Sequence, residues 1–431
     1  SPPHFAPRAT KVIFIYLSGG PSHIDLLDPK PQMAKLDGQP VPESLLEGLT
    51  DPVIKSTAAV MASPRKFHRY GRSGLDFSDL LPHTGSVADE LCVIRSMHTD
   101  QANHDPAQLL LSCGTPLFGH PSMGSWVTYG LGSECDDMPG YVVLMSDSGK
   151  GVDAGSALWS SGFMPSTHRG VTFRSSGDPI LFLNNPPGVT PATQRARLDV
   201  LRDLNEQRRQ VTGDDEITAR IASYELAFRM QSAAPDLLDF SDETEATHTA
   251  YGLGQETTRA FGANCLLARR MIERGVRFVQ LFHSTWDDHY HINHHLQVNC
   301  DMTDLPTAAL IRDLRTRGLL DDTLVVWAGE FGRTPMSEVR RGKVSGKEGR
   351  DHHPFAFSVW LAGGGVKGGY VHGETDDFGY HVTQDPVHVH DLQATILHLL
   401  GIDHESLTFR HAGRDFRLTD VYGQVVENII A

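Results

Sequence analysis

The sequence predicts an α/β fold built on a mainly parallel sheet, and three features predict it. Continuous apolar runs such as Lys11-Val-Ile-Phe-Ile-Tyr-Leu17 have the composition of strands buried on both faces. Helical stretches alternate with these runs, as in βα units. Loops rich in Gly and polar residues follow the strands directly, as at Ser18-Gly-Gly-Pro-Ser22.

After the strand Lys11–Leu17, residues 37–85 are rich in Pro, Gly and Ser and read as an excursion over the surface. Leu91–Arg95 is a second short strand. Asp105-Pro106 opens a helix to about Cys113, with Asp as N-cap and Pro in the first turn. Residues 114–190 read as loops and short strands, Gly140–Met145 among them. Residues 191–250 form a helical insertion, with exposed amphipathic helices over Arg195–Gln210 and Asp215–Gln231. A helix over Thr258–Arg274 stops at Gly275 and leads into the strand Val276–Phe282. A helix from about Pro306 to Arg317 precedes the strand Thr323–Ala328, and Phe355–Leu361 is another strand. Asp391 caps a last helix, Leu392–Leu400. The chain reads as a single domain over residues 1–431, with insertions at about 37–85, 114–190 and 191–250.

Composition narrows the function. The 431 residues are 39% hydrophobic and 21% charged, as in soluble globular proteins. A net charge of −15 argues against nucleic-acid partners and anionic membrane surfaces. No apolar run approaches the roughly 20 residues of a spanning helix, so membrane insertion is not expected. The five cysteines form no CxxC pair and do not fix the redox compartment. Histidine is in surplus at 23, and fourteen of these lie between His283 and His411.

In open α/β sheets, ligands bind beyond the carboxyl ends of the strands. Sorted by that rule, the polar residues gather at a few places. Ser18, Ser22, His23, Asp25 and Asp28 follow the first strand, and Asn103, His104 and Asp105 open a helix. His283-Ser-Thr-Trp-Asp-Asp-His-Tyr-His291 follows a third strand, and Gly329-Glu330-Phe-Gly-Arg333 a fourth. A loop delivers Gly349-Arg350-Asp351-His352-His353. Imidazoles with carboxylates suit zinc or manganese, while a mostly oxygen set would suit calcium or magnesium. Each residue also has a plainer reading. Asp25 and Asp28 fit turn positions, Asp105 fits an N-cap, and His294 and His295 fit a solvated loop. Glu330, at the end of an apolar strand and beside Gly, fits a ligand or acid/base role better. Trp126, Trp159 and Trp286 are candidate sugar platforms, with core packing as the alternative.

Five motifs together resemble the DUF1501 proteins, sulfatase-like members of the alkaline phosphatase superfamily. They are Ser18-Gly-Gly-Pro-Ser-His-Ile-Asp-Leu-Leu-Asp-Pro-Lys30, Trp286-Asp-Asp-His289, Gly329-Glu-Phe-Gly-Arg-Thr-Pro335, Gly349-Arg-Asp-His352 and His390-Asp-Leu-Gln-Ala-Thr395. The resemblance spans Lys11 to Val425. It implies an alkaline-phosphatase-like α/β/α sandwich and export, to the periplasm or beyond the cell. It also implies roles. His352 would be a metal ligand, and Asp287 would join it with His289 or His291. Glu330 holds the place of a superfamily Asp, and Phe331 replaces the His that follows it. His104 falls where sulfatases carry the formylglycine Cys, and Ser18 where the first-strand Asp stands. Formylglycine chemistry is therefore not expected, and a centre of one metal ion stands beside one of two as an option.

These readings lead to a metal-dependent hydrolase of sulfate esters acting on sulfated polysaccharide. The divalent ion, zinc in first place with calcium or manganese as alternatives, would be held by Asp287, His289 or His291, Glu330 and His352, helped by Asp25 and Asp351. Arg333 or Arg350 would bind the ester oxygens through its fork of donors. His104 would be nucleophile or acid, with Ser18 or Ser22 as fallback nucleophile. A phosphatase or phosphodiesterase using the same site is one alternative. A noncatalytic glycan-binding protein is the other.

Overall fold

A computed structural model describes residues 2–47, 52–146, 152–173, 185–337 and 347–431. Residues 48–51, 147–151 and 174–184 of the two predicted excursions lie outside the described residues. Eleven strands build the sheet and the site. They are β1 (Lys11–Leu17), β2 (Leu91–His98), β3 (Tyr141–Met145), β4 (Val171–Phe173), β5 (Phe278–His283), β6 (Thr323–Ala328), β7 (Gly332–Ser337), β8 (Arg350–His353), β9 (Phe357–Ala362), β10 (Tyr370–His372) and β11 (Val387–His388). The main sheet runs β10-β2-β9-β6-β1-β5-β3-β4, with β11 continuing the β2 edge. β1 pairs in parallel with both β5 and β6, and of the strands in this sheet only β9 runs against its neighbours.

The principal helices are α1 (His104–Cys113), α2 (Met123–Leu131), α3 (Pro191–Thr212), α4 (Asp215–Leu238), α5 (Glu256–Glu273), α6 (Ile292–Thr316) and α7 (Val389–Leu399). β1 shows how they are layered. Its Ile13, Ile15 and Leu17 face one core with Leu266 and Ile272 of α5 and Leu310 and Leu314 of α6. Its Val12, Phe14 and Tyr16 face the other with Leu109 of α1, Trp126 of α2 and Ile396 of α7. Because successive side chains point to opposite faces, an unbroken apolar run is what a strand between two helical layers requires. The chain is therefore an α/β/α sandwich with a mainly parallel central sheet.

Several boundaries differ from the sequence reading. α1 begins at His104 with Asn103 as N-cap, so Asp105 sits in its first turn rather than at the cap. α7 is capped by His388, and Asp391 completes a capping box from inside the helix. α6 begins at Ile292, well before Pro306, which lies inside it. Ile292, Leu296, Cys300, Thr303, Thr307, Leu310, Ile311 and Leu314 form a buried stripe along α6. Burial of that stripe outweighs the roughly 3 kcal/mol that an interior Pro costs a helix. Gly332–Ser337 and Arg350–His353, read as loops, form an antiparallel pair, and Val60 of the first excursion bridges to Met336 of that pair. Trp126, Trp159 and Trp286 are all buried and pack in the core.

Candidate metal centre

Two carboxyl-terminal strand ends, one helix start and the β7–β8 pair converge on one point. β5 ends at His283, and the loop after it carries Asp287 and His289. Thr285 in this loop adopts φ +79, a region that costs most residues energy. Asn299 of α6 holds it there, with Nδ2 donating to the Thr285 carbonyl at 2.9 Å and Oδ1 accepting from Thr285 Oγ1 at 2.8 Å. Gly19, at the end of β1, adopts φ +119, and a Cβ there would stand 2.4 Å from the Asp287 backbone nitrogen. Only Gly lets the first strand's turn approach this loop so closely. His104 opens α1, and the β7–β8 pair delivers His352.

His104, Asp287, His289 and His352 each offer a ligand atom, and these atoms lie within 4.8 Å of one another. Asp287 Oδ1 is 3.3 Å from Nε2 of His104, 2.9 Å from that of His289 and 3.2 Å from that of His352. Arg333 Nη2 adds a fourth nitrogen at 2.8 Å. Four nitrogens around one carboxylate oxygen exceed its lone pairs. The Nε2 atoms of His289 and His352 are only 2.8 Å apart.

The far sides of two of the rings are hydrogen-bonded. His104 Nδ1 is 2.8 Å from Glu330 Oε1, and His352 Nδ1 is 2.7 Å from the Ala102 carbonyl. His289 Nδ1 lies 3.8 Å from Asp351 Oδ1. Metal-binding histidines almost always donate their outer N–H to such an acceptor, which fixes the tautomer and leaves the other nitrogen for the ion. His104 Nε2 is buried without a hydrogen-bond partner, as a ligand nitrogen would be. Three imidazoles and one carboxylate fit a borderline-soft divalent ion such as zinc, and they fit the oxygen preference of calcium or manganese less well.

Electrostatics follow from the same contacts. Burial pulls the His104 imidazole down, but the Asp287 and Glu330 carboxylates outweigh it and raise its pKa to about 9. Burial lowers His352, against the pull of Asp287. Burial would raise Asp287, yet the three imidazoles and Arg333 hold it well below the usual carboxylate range. Asp288, its neighbour, is pushed up to about 7, chiefly by burial.

The other predicted site residues fall into separate groups. Glu330 is fully buried one layer behind His104 and accepts from Gly19 N at 2.9 Å. Ser22, Asp25 and Arg350 form a buried knot, with Ser22 Oγ donating to Asp25 at 2.6 Å and Arg350 Nε at 2.8 Å. Arg333 is fully buried and donates to the carbonyls of Gly19, Gly20 and Arg350 as well as to Asp287. Neither guanidinium is presented at the surface of the site. Asp351 stands beside His289, and its carboxylate accepts from the His352 backbone N–H. His291 lies outside the four, at the N-cap of α6, with its ring stacked on His294.

Sequence reasoning missed two residues. Gln108 Nε2 lies within 3.1 Å of Ser18 Oγ, Asp153 Oδ2 and Glu330 Oε1. Its spacing of four from His104 puts both on one face of α1, a signal that could have found it. Asp153 sits in a Gly-rich stretch with no pattern to mark it.

Comparisons with known proteins bear on the family. Among curated proteins, none matches this chain. Solved structures similar to it include Ps i-CgsB in complex with k-i-k-neocarrahexaose, at 11% identity over 91% of this chain and 72% of that one, TM-score 0.37. The PsFucS1 sulfatase from Pseudoalteromonas sp. is 11% identical over 92% of this chain and 69% of its own, TM-score 0.39. The alkaline phosphatase from the Antarctic bacterium TAB5 is 10% identical over 92% of this chain and 99% of its own, TM-score 0.37. The model of the DUF1501 family, described as a protein of unknown function, matches residues 9–430, and the chain belongs to that family.

Proposed function

We propose that this chain is a metal-dependent ester hydrolase, a formylglycine-independent sulfatase acting on sulfated glycan. The observation that carries the reading is the convergence of three imidazoles and a carboxylate at one sheet edge, beside a cavity of about 400 Å³ that Asp287 lines. The motif resemblance to sulfatase-like proteins supports ester chemistry at such a centre.

His104, Asp287, His289 and His352 would hold the ion. Bound there, a divalent ion would polarise the ester and stabilise the charge that develops on it. Glu330 and the Ala102 carbonyl hold the outer protons of His104 and His352, and Arg333 keeps Asp287 ionised. Because His104 Nε2 points into the cluster, we assign it as a ligand rather than a nucleophile. Ser22 is buried and bonded to Asp25, and Ser18 is buried with its Oγ bonded to Gln108 and no base at hand to activate it, so the scheme takes water as the attacking group. Positive charge near the ester would come from the ion and the first turn of α1, whose N-cap side chain makes no capping bond. With the Asp287 carboxylate on the cavity wall, that supply favours an ester with one negative charge, as in a sulfate monoester, over the dianion of a phosphate monoester.

One observation favours a second reading. Four protein ligands already complete a tetrahedral zinc site, as in structural rather than catalytic centres. A noncatalytic glycan-binding protein would follow. Metal analysis of the purified protein and turnover of aryl sulfate, hexose sulfate, aryl phosphate and diaryl phosphate esters separate the cases. The expected result is about one ion per chain and sulfate turnover that His352→Ala abolishes. Faster turnover of a phosphate ester would reassign the substrate, and a bound ion with no turnover of any ester would move the chain to the second reading.

The family resemblance also supports export to the periplasm or the cell exterior. No helix among the described residues is long and apolar enough to cross a membrane. Cell fractionation of the native host checks this, and recovery in the cytosol would reverse it.

A further inference from the structure

The cavity beside Asp287 is lined by Ser18, Gly19, Val152, Asp153, Ser284 and Thr285. It adjoins the one exposed ligand of the cluster, since the three imidazoles are largely covered while the Asp287 side chain is 42% exposed. Whatever departs from or approaches the centre on that side does so through this space.

The lining has a distinct chemistry. Asp153 is exposed and takes one bond from the described residues, at 3.1 Å from Gln108 Nε2, so most of its acceptor capacity is open. Thr285 Oγ1 donates its hydrogen to Asn299 Oδ1 and turns only lone pairs to other partners. Ser18 Oγ accepts from Gln108 Nε2 at 2.9 Å and keeps its own O–H, so the acceptor surplus rests on Asp153 and Thr285. A pocket whose side chains offer acceptors in excess is complementary to a ligand rich in donors.

We infer that this cavity is the leaving-group subsite, that it takes a polyhydroxylated or amine-bearing sugar through hydrogen bonds donated to its acceptors, and that Asp153 is the residue that sets this preference. The inference rests on the hydrolase reading, because a leaving group presupposes an ester. Gln108 ties the subsite to the centre, since the same amide nitrogen that holds Asp153 lies 3.1 Å from Glu330 Oε1, behind His104. A site built to bond a substrate hydroxyl discriminates strongly against an analogue that lacks it.

The test compares wild-type holoprotein with Asp153→Asn on two esters, a methyl hexoside monosulfate and 4-nitrophenyl sulfate, whose leaving group has no hydroxyl to donate. The expected outcome is a fall of about tenfold or more in kcat/KM on the sugar ester, carried by KM, with the aryl ester changed by less than about twofold. Equal losses on both esters would mean that Asp153 acts only by supporting Gln108, and an unchanged sugar ester would remove it from the subsite. Either result overturns the inference while leaving the hydrolase reading intact. A second measurement needs no turnover: binding of unesterified glucosamine and methyl hexoside by calorimetry. Binding that weakens about tenfold in Asp153→Asn, in a protein that cleaves no ester, sustains the sugar site and rejects the hydrolase reading instead. Absence of sugar binding by the wild type, together with insensitivity of the esters, rejects the subsite.

Discussion

Glu330 shows how one buried side chain can govern a site it does not enter. It has no solvent exposure, and its Oε1 gathers Gly19 N, Gln108 Nε2 and His104 Nδ1. Its Oε2 is buried without a partner, an uncompensated cost that a stability role alone does not explain. A carboxylate behind a ligating imidazole raises the basicity of that imidazole and fixes its orientation. Glu330→Gln keeps the shape and removes the charge. Metal affinity, measured by competition with a chromogenic chelator, is expected to fall about 10- to 100-fold, with the fold retained. Unchanged affinity would show that His104 does not ligate through Nε2.

At the scale of elements, the centre depends on the β7–β8 pair that carries His352. That pair is tied to the sandwich by Arg350, fully buried with Nε 2.8 Å from Asp25 and Nη1 bonded to the carbonyls of Met61 and Thr334. The Arg350 guanidinium and Ser22 hold Asp25 below the ordinary carboxylate range in spite of its burial. Breaking a buried pair from one side leaves the other charge stranded, typically at a cost of 3–5 kcal/mol. Asp25→Asn should therefore lower the stability of the fold by roughly that amount, and should also weaken metal binding, because β8 would lose its anchor. A fall in melting temperature with undiminished metal affinity would separate the knot from the centre. The same elements mark the limits of the sequence. Lys11–Leu17 and Thr323–Ala328 were legible because strands covered on both faces must be apolar throughout. Asp287 and His289 stand out in the sequence as polar residues just past such a strand, while His352 comes from the motif resemblance, and the folded chain brings the three together. In the sequence Arg333 and Arg350 read as anion-binding forks, since an arginine in a Gly-flanked segment carries no sign of burial. Their partners are carbonyls and carboxylates from residues as distant as Gly19 and Asp25, and only the folded chain brings these together. His291 and His289 were indistinguishable by spacing, and the start of α6 at Ile292 is what carries His291 away.

On the scale of the whole molecule, the four residues proposed to hold the ion come from positions 104, 287, 289 and 352 and meet only when the sheet is formed. The unfolded chain has no comparable site, so an ion that binds here stabilises the folded state by linkage. At a free concentration about 1,000 times Kd this amounts to about 4 kcal/mol. For a chain of 431 residues, unfolding entropies of about 2 cal/mol/K per residue convert that into roughly 4–5 °C. Removing the ion with a chelator should lower the melting temperature by about that much, and restoring it should reverse the change. Asp287→Asn should show no such response, because it removes the carboxylate around which all three Nε2 atoms gather. The magnitude also discriminates between metals. Ions that accept imidazole should restore the melting temperature at micromolar concentrations, whereas calcium, which takes oxygen ligands, should need far more. Recovery by calcium at the same concentration as zinc would place the ion among carboxylates such as Asp153, Asp287 and Glu330, not at the three imidazoles.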